Sequence, residues 1–218
     1  INASPSNIGK PEQRNHIFSK IAKRYGIPFV YVNQVGANDE IVFDGGSFVF
    51  DGNGEKQIQM KYFEEDEYIF DTHSEDKHIE NTPSKYGFIF KQIGLGLKDY
   101  LHKQGMKSVV FGCSGGVDSA IVAAICKIHL GAENVKAITM PSKYSSSGSV
   151  DDSVDLCNRL GIELFNLAIV NAVKDISEDF KKSIGVELSG IPAENIQARA
   201  RDIYLMAYSN QLGNLMIC

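Results

Sequence analysis

The sequence predicts an α/β fold in which a parallel sheet carries helices on both faces and is preceded by a domain of a different kind. In residues 86–218, short apolar segments alternate with segments of helical periodicity, as in repeated β–α units. The first 70 residues show hairpin-like patterning that does not recur later. Between them, the polar stretch "DTHSEDKHIENTPSK" favours a linker. We therefore expect domains at 1–70 and 86–218, joined by a linker at 71–85.

Composition narrows the class of protein. The chain has 218 residues, 43% of them hydrophobic and 22% charged, which suits globular domains with real cores. A net charge of −5 argues against a nucleic-acid partner, and no apolar stretch approaches the ~18 residues that span a bilayer. The four cysteines are scattered without a CxxC pair. We expect reduced thiols in a cytoplasmic protein.

In the first part, apolar positions at Ile17, Ile21 and Tyr25 predict a helix over 11–25 that ends before Gly26. A strand is predicted over 28–36, and β structure from 40 to 70 with a hairpin turn at "DGNG", 51–54. In the second part we predict helices over 86–105, 118–130, 150–160, 172–184 and 193–209, and strands over 108–112, 135–140 and 162–169.

The stretch "GCSGGVDS", 112–119, joins an apolar strand to an apolar helix. The first N–H groups of such a helix bind anions, and adjacent glycines let a phosphate approach the backbone. The loop has no Walker A lysine, and Asp118 would repel a bare phosphate. Mg²⁺ resolves that conflict, since it binds a carboxylate and phosphate oxygens together. The alternatives are that Asp118 caps the helix or that Cys113 is a nucleophile, although no histidine lies near Cys113 in the sequence.

The helix over 193–209 offers a second candidate site. Asn195 and Arg199 are four residues apart and share a face, while an apolar seam is predicted along Ile196, Ala200, Ile203 and Ala207. An amide and a guanidinium together suit a carboxylate or a phosphate. The alternative is a solvated helix face.

The string "SGGVDS" resembles the PP-loop of the ATP pyrophosphatases, whose adenine nucleotide alpha hydrolase-like domains cleave ATP to AMP and pyrophosphate. The resemblance implies ATP and Mg²⁺ as cofactors, with Asp118 as the metal ligand. It also implies that ATP binds to eight loop residues, which are Gly112, Cys113, Ser114, Gly115, Gly116, Val117, Asp118 and Ser119.

Three further stretches resemble the glutamine-dependent NAD synthetases. "MPSKYSSSGSVDDS" (140–153) resembles the loop after their second strand, and "PAENIQARARDIYLMAYSN" (192–210) resembles their dinucleotide-binding helix, which implies that Asn195 and Arg199 bind deamido-NAD⁺. "NASPSNIGKPEQR" is similar to the later part of a nitrilase-like α/β sandwich, the glutaminase of this family. There Ser4 and Lys10 are implied to bind glutamine, although Ser6 replaces a usual aromatic residue.

The resemblance implies ATP-dependent amidation of deamido-NAD⁺ with ammonia from glutamine, in a full-length homo-oligomer. It places the Glu-Lys-Cys glutaminase set upstream of Ile1, so we expect the chain to be a segment of a longer enzyme with no catalytic residue of that set. The alternatives are another PP-loop amidotransferase, such as a GMP synthetase, and a non-catalytic nucleotide-binding module.

Overall fold

The computed structural model describes residues 1–73 and 77–218 and divides the chain into two compact units, Ile1–Tyr100 and Leu101–Cys218. The predicted domain limits at 70 and 86 stay a prediction, and residues 74–76 of the predicted linker lie outside the described residues. Within the described ranges, no helix is both long and apolar enough to cross a membrane.

The first unit holds a four-stranded sheet with the order β1-β4-β5-β6 and a separate two-stranded hairpin, β2-β3. Within the sheet, β5 and β6 are parallel and the other neighbours antiparallel. The elements are α1 (Lys10–Tyr25), β1 (Phe29–Tyr31), β2 (Val35–Asn38), β3 (Ile41–Asp44), β4 (Phe48–Phe50), β5 (Lys56–Gln59), β6 (His78–Ile79) and most of α2 (Lys85–Lys103).

Two predictions for this unit are confirmed and one is wrong. The helix predicted over 11–25 is α1, and the hairpin predicted at 51–54 joins β4 to β5. A single strand over 28–36 is wrong, because the chain leaves β1 at Tyr31 and starts β2 at Val35. Between them, the Asn33 side chain turns into a buried polar network. Local apolar patterning could not foresee that break.

The core of the first unit lies between α1 and the sheet. Ala22 of α1 is fully buried against Tyr31, Phe48 and Phe50, and Phe18 joins them from the previous helical turn. The Tyr31 and Phe48 rings stack with centroids 4.7 Å apart. These contacts fix α1 on the sheet, and with it the residues that immediately precede the helix.

The second unit contains a four-stranded sheet with the order β10-β7-β8-β9, and every neighbouring pair is parallel. The predicted α/β fold with a parallel sheet is confirmed. Its elements after α2 are β7 (Val109–Gly112), α3 (Val117–Leu130), a 3₁₀ turn (Ala132–Asn134), β8 (Val135–Thr139), α4 (Ser147–Leu160), β9 (Glu163–Asn166), α5 (Val170–Ile184), α6 (Ile191–Leu212) and β10 (Leu215–Ile217).

Strand β7 is covered on both faces. Val109, Val110 and Phe111 follow one another and are at most 2% exposed, and successive side chains of a strand point to opposite faces. Val110 packs with Ile138 of β8 against α6. A strand buried on both sides needs the continuous apolar run that the sequence has at 109–111.

The apolar seam predicted for α6 is partly wrong. Ala200 and Leu205 are buried in the core, but Ile203 is 59% exposed and Ala207 is also exposed. The buried stripe continues from Ala200 to Tyr204, a step of four residues, where the prediction took a step of three. This small rotation of the helix decides which polar residues of α6 face the site described next.

Candidate functional site

The loop 112–119 lies at the carboxyl end of β7 and leads into α3. The chain after β7 continues to β8 on one side, and β10 pairs with β7 on the other side. Such a reversal of strand order opens a crevice beyond the carboxyl ends of the strands, and open parallel sheets bind ligands there. The loop that the sequence singled out therefore lies at the edge where open parallel sheets bind ligands.

Glycines let this loop fold tightly. Gly115 has a φ of +77°, and a Cβ added there would lie 2.4 Å from the carbonyl oxygen of Ser149. At Gly112 a Cβ would lie 3.3 Å from Met140 Cε. Both the left-handed backbone and the close approach to the first turns of α4 require glycine at position 115. The loop backbone therefore lies close to α4 at Gly115 and to the Met140 side chain at Gly112.

The start of α3 presents free donors. Gly116 is the N-cap residue and makes no side-chain capping bond. The structure gives no partner, within the residues it describes, to the backbone N–H groups of Val117, Asp118 and Ser119. The Ser114 and Ser119 hydroxyl oxygens lie 3.3 Å apart beside them. The Ser119 hydroxyl donates to the Gly116 carbonyl at 2.9 Å, so the free donors at this helix N-terminus are the three backbone N–H groups, where the helix dipole also favours an anion.

Asp118 lies in the first turn of α3 and is exposed. Capping of the helix by Asp118 is not observed, because Gly116 occupies the N-cap position. In the described part of the chain, no group of three or more His, Cys, Asp or Glu side chains forms a metal site. A lone carboxylate still suits Mg²⁺, which in nucleotide sites takes one or two carboxylates and fills its other positions with phosphate and water.

Above the loop is a cavity of about 730 Å³. Its walls come from the loop, the carboxyl end of β8, the start of α4, one face of α6 and the end of the chain after β10. The lining residues include Gly112, Cys113, Ser114, Asp118, Ser119, Thr139, Met140, Ser145, Ser149, Ala198, Arg201, Asp202, Leu205 and Cys218. Segments that are far apart in the sequence therefore meet around one cavity next to the predicted phosphate loop.

Cys113 is held in place as a buried group. Cys113 is 2% exposed, and its backbone N–H donates to the carbonyl oxygen of Ile138 at 2.9 Å. The hydrogen bond from the Cys157 thiol holds the pKa of Cys113 below its usual value, with smaller contributions from Ser153 and nearby groups, while burial acts in the opposite direction. The pKa of Cys157 is raised in turn. A thiol buried against another thiol is poorly placed to attack a substrate, which weighs against Cys113 as a nucleophile.

The predicted α6 residues lie outside this cavity. Asn195 and Arg199 are both exposed and neither is among the described residues that line it. The structure instead brings Arg201 and Asp202 to the cavity, which the sequence reasoning missed. The string "ARARD" contains both arginines, and only the phase of the helix, set by Leu205, separates them.

In the first unit, Ser4 is fixed by a buried network. Its backbone N–H donates to Asn33 Oδ1 at 2.9 Å, and Arg14 Nη2 donates to its hydroxyl oxygen at 2.9 Å. That oxygen accepts from Arg14, and among the described residues no acceptor is given for the Ser4 hydroxyl proton, so this proton can be donated to a ligand. Lys10 is the first residue of α1 and is half-buried.

Arg14 and Asp44 form the centre of that network. Arg14 Nη1 donates to the two carboxylate oxygens of Asp44 at 2.9 and 2.8 Å, and the residues are 4% and 0% exposed. Burial raises the pKa of Asp44 above its usual value, and the Arg14 guanidinium opposes that rise. Asn33 Nδ2 also donates to Asp44, at 3.1 Å. The pair therefore ties α1 to β3 and to the segment of Ser4.

The family model for NAD synthase matches residues 89–218. The glutamine-dependent NAD(+) synthetase of Acinetobacter baylyi is 34% identical over the whole chain, which covers 41% of that relative. The one from Thermotoga maritima is 36% identical, again over the whole chain and 44% of the relative. The chain thus spans about two fifths of the length of these curated relatives.

A solved structure agrees with these relatives. The glutamine-dependent NAD+ synthetase from Acinetobacter baumannii, in complex with ADP, matches with a TM-score of 0.92 and 38% identity over 99% of this chain and 42% of that one. A match at this identity covers both units in the same order along the sequence. Because the family model also matches more than half of the residues, the chain belongs to the NAD synthase family.

Proposed function

We propose that this protein takes part in glutamine-dependent NAD⁺ synthesis, the ATP-dependent amidation of deamido-NAD⁺. The observation that carries the proposal is the loop 112–119 beside a strand-order reversal, in a chain of the NAD synthase family. The names of the relatives that match the whole chain support the glutamine dependence.

ATP is proposed to bind with its phosphates on the loop. The free N–H groups of Val117, Asp118 and Ser119 supply donors, and Gly115 lets the phosphates come close. The relative from Acinetobacter baumannii is in complex with ADP, which supports a nucleotide at the corresponding place. Asp118 would hold Mg²⁺, which neutralises phosphate charge when it is bound.

The reaction follows from that arrangement. An oxygen of the nicotinate carboxylate attacks the α-phosphorus of ATP, and the bond to pyrophosphate breaks. Ammonia then attacks the carboxyl carbon, AMP leaves, and a proton is lost to give the amide. The loop donors stabilise negative charge as it builds on the departing pyrophosphate. Asn195 and Arg199, exposed on α6, are proposed to hold deamido-NAD⁺ through an anionic group.

The first unit is proposed to be part of a nitrilase-like glutaminase. The NAD synthase family model begins at residue 89, whereas the glutamine-dependent relatives match from the first unit onward. Ser4 would contact glutamine with the hydroxyl proton that Arg14 leaves free, and Lys10 would pair with the α-carboxylate. The free state of the four cysteines suits a reducing compartment, which supports a cytoplasmic location.

The test is an assay of the intact protein with Mg-ATP, comparing deamido-NAD⁺ with xanthosine monophosphate and glutamine with ammonium. We expect AMP and NAD⁺ to form in equal amounts from deamido-NAD⁺ with either nitrogen source. AMP formation only with xanthosine monophosphate would indicate a GMP synthetase instead. Nucleotide binding without AMP formation would indicate a non-catalytic module.

A further inference from the structure

Arg201 stands out among the side chains around the cavity because its terminal nitrogens have no partner among the residues that the structure describes. Its Nε donates to the carbonyl oxygen of Met140 at 3.2 Å. Within the described ranges, the structure gives Nη1 and Nη2 neither a hydrogen bond nor an ion pair, although the side chain is half-buried. A guanidinium held at Nε keeps its two terminal NH₂ groups in a fixed fork.

The position of Arg201 is fixed by the core. Ala200 and Leu205 of α6 are 3% and 6% exposed and pack on Val110 and Ile138. Residue 201 follows the buried Ala200 and lies one helical turn before Leu205, so its side chain emerges at the edge of the packed stripe. The bond to Met140, just after β8, holds it at the carboxyl end of the sheet.

The other charged side chains that line the cavity are acidic, so the positive charge of Arg201 matters for an anionic ligand. Arg201 is the one basic side chain among the described residues that line it, and Asp118 and Asp202 are both acidic. The loop itself contains no lysine or arginine. A polyphosphate carries several negative charges, and a departing pyrophosphate gains more charge as its bond breaks. Backbone donors and one carboxylate-bound Mg²⁺ leave room for a fixed cation.

From this geometry we infer that Arg201 binds the polyphosphate of ATP, through the N–H groups of its Nη atoms, above the loop 112–119. This role rests on the proposed function, because it takes ATP as the ligand of the cavity. Arg199, two residues earlier, does not line the cavity. The guanidinium fork suits two phosphate oxygens at once, which a lysine ammonium does not match.

The test measures ADP and AMP affinity of the intact protein by equilibrium dialysis with Mg²⁺. Arg201→Met is expected to weaken ADP binding about 10- to 100-fold, which is the usual effect of losing hydrogen bonds to a charged group. AMP binding should weaken much less. Arg201→Lys should recover part of the loss. Arg159→Met is the control, because Arg159 is an exposed arginine of α4 that pairs with Asp155 away from the cavity.

Two outcomes would overturn the inference. One is unchanged ADP affinity in Arg201→Met. The other is an equal loss of ADP and AMP affinity with a lower thermal midpoint, which would reduce Arg201 to a support for the Met140 carbonyl. If the variants do not fold, phenylglyoxal labelling of the unaltered protein decides, since ADP but not AMP should protect Arg201. Failure of NAD⁺ formation with ADP binding still dependent on Arg201 would refute the proposed function alone.

Discussion

Replacing Asp44 with asparagine would test the buried ion pair behind Ser4. Arg14 and Asp44 are almost inaccessible to solvent and are joined by hydrogen bonds of 2.8 and 2.9 Å. Asp44→Asn keeps the shape of the side chain but leaves the Arg14 guanidinium buried without a counter-ion. Removing one member of a buried pair costs about 3–5 kcal/mol, because the remaining charge keeps its desolvation penalty. We expect the free energy of unfolding to fall by that amount.

The assay is denaturant unfolding of the intact protein and a double-mutant cycle. Arg14→Met combined with Asp44→Asn removes both charges, so the pair should lose about 1–3 kcal/mol less than the sum of the single changes. Glu64→Gln is the matched control, since Glu64 pairs with Lys91 at 3.1 Å in the same unit but both side chains are about half exposed. Its effect should stay below about 1 kcal/mol.

The same variants separate folding from function. Arg14 Nη2 donates to the hydroxyl and the carbonyl oxygens of Ser4, at 2.9 and 3.1 Å. Arg14→Met should therefore raise the KM for glutamine while leaving NAD⁺ synthesis from ammonium unchanged. A free energy of unfolding for Asp44→Asn within about 0.5 kcal/mol of that of the unaltered protein would refute the expected cost, because ordinary surface changes fall in that range. Equal losses with both nitrogen sources would contradict the expected effect of Arg14→Met.

Three further changes probe the loop and the first sheet. Gly115→Ala should abolish measurable ADP binding, because its Cβ would meet the Ser149 carbonyl. The control is Gly185→Ala, at a residue with a φ of +79° and open space around it, which should lower the free energy of unfolding by only about 1–2 kcal/mol. Asp118→Ala should raise the Mg²⁺ concentration needed for NAD⁺ synthesis equally with glutamine and with ammonium, and an unchanged Mg²⁺ titration would remove Asp118 from the metal site. Burial lowers the pKa of Lys56 to about 8 from 10.5, so its charged form destabilises the fold below pH 8. The free energy of unfolding, relative to that of Lys56→Met, should therefore rise between pH 8 and about 10.5. Parallel plots of unfolding free energy against pH for the two proteins would contradict this.

The loop could be predicted from the sequence because its determinants are local. The glycines, the serines and Asp118 lie between one strand and one helix and act mainly through their own backbone or near neighbours, and the approach of Gly115 to Ser149 of α4 is the exception. The hairpin at 51–54 was predictable for the same reason, since Asp51 Oδ1 accepts the N–H groups of Asn53 and Glu55 within the turn.

The rest depended on contacts between distant residues. Arg14 pairs with Asp44, thirty positions later in the chain, and the sequence around either residue does not indicate this pairing. The predicted seam of α6 singled out Arg199 and missed Arg201, because it did not include Leu205, whose packing turns Arg201 to the cavity. Tertiary packing, not propensity, decided these positions.

The cation and the crevice have a common origin in the strand order. For β10 to pair with β7, the chain must return from the far side of β9, and α6 is the segment that directly precedes β10. To bury Ala200 and Leu205 on Val110, α6 must pack on the strand that ends in the phosphate loop. A residue just beyond the buried stripe then reaches the carboxyl end of that strand. The topology that opens the crevice therefore also brings a basic side chain to it, and the loop can do without a lysine of its own.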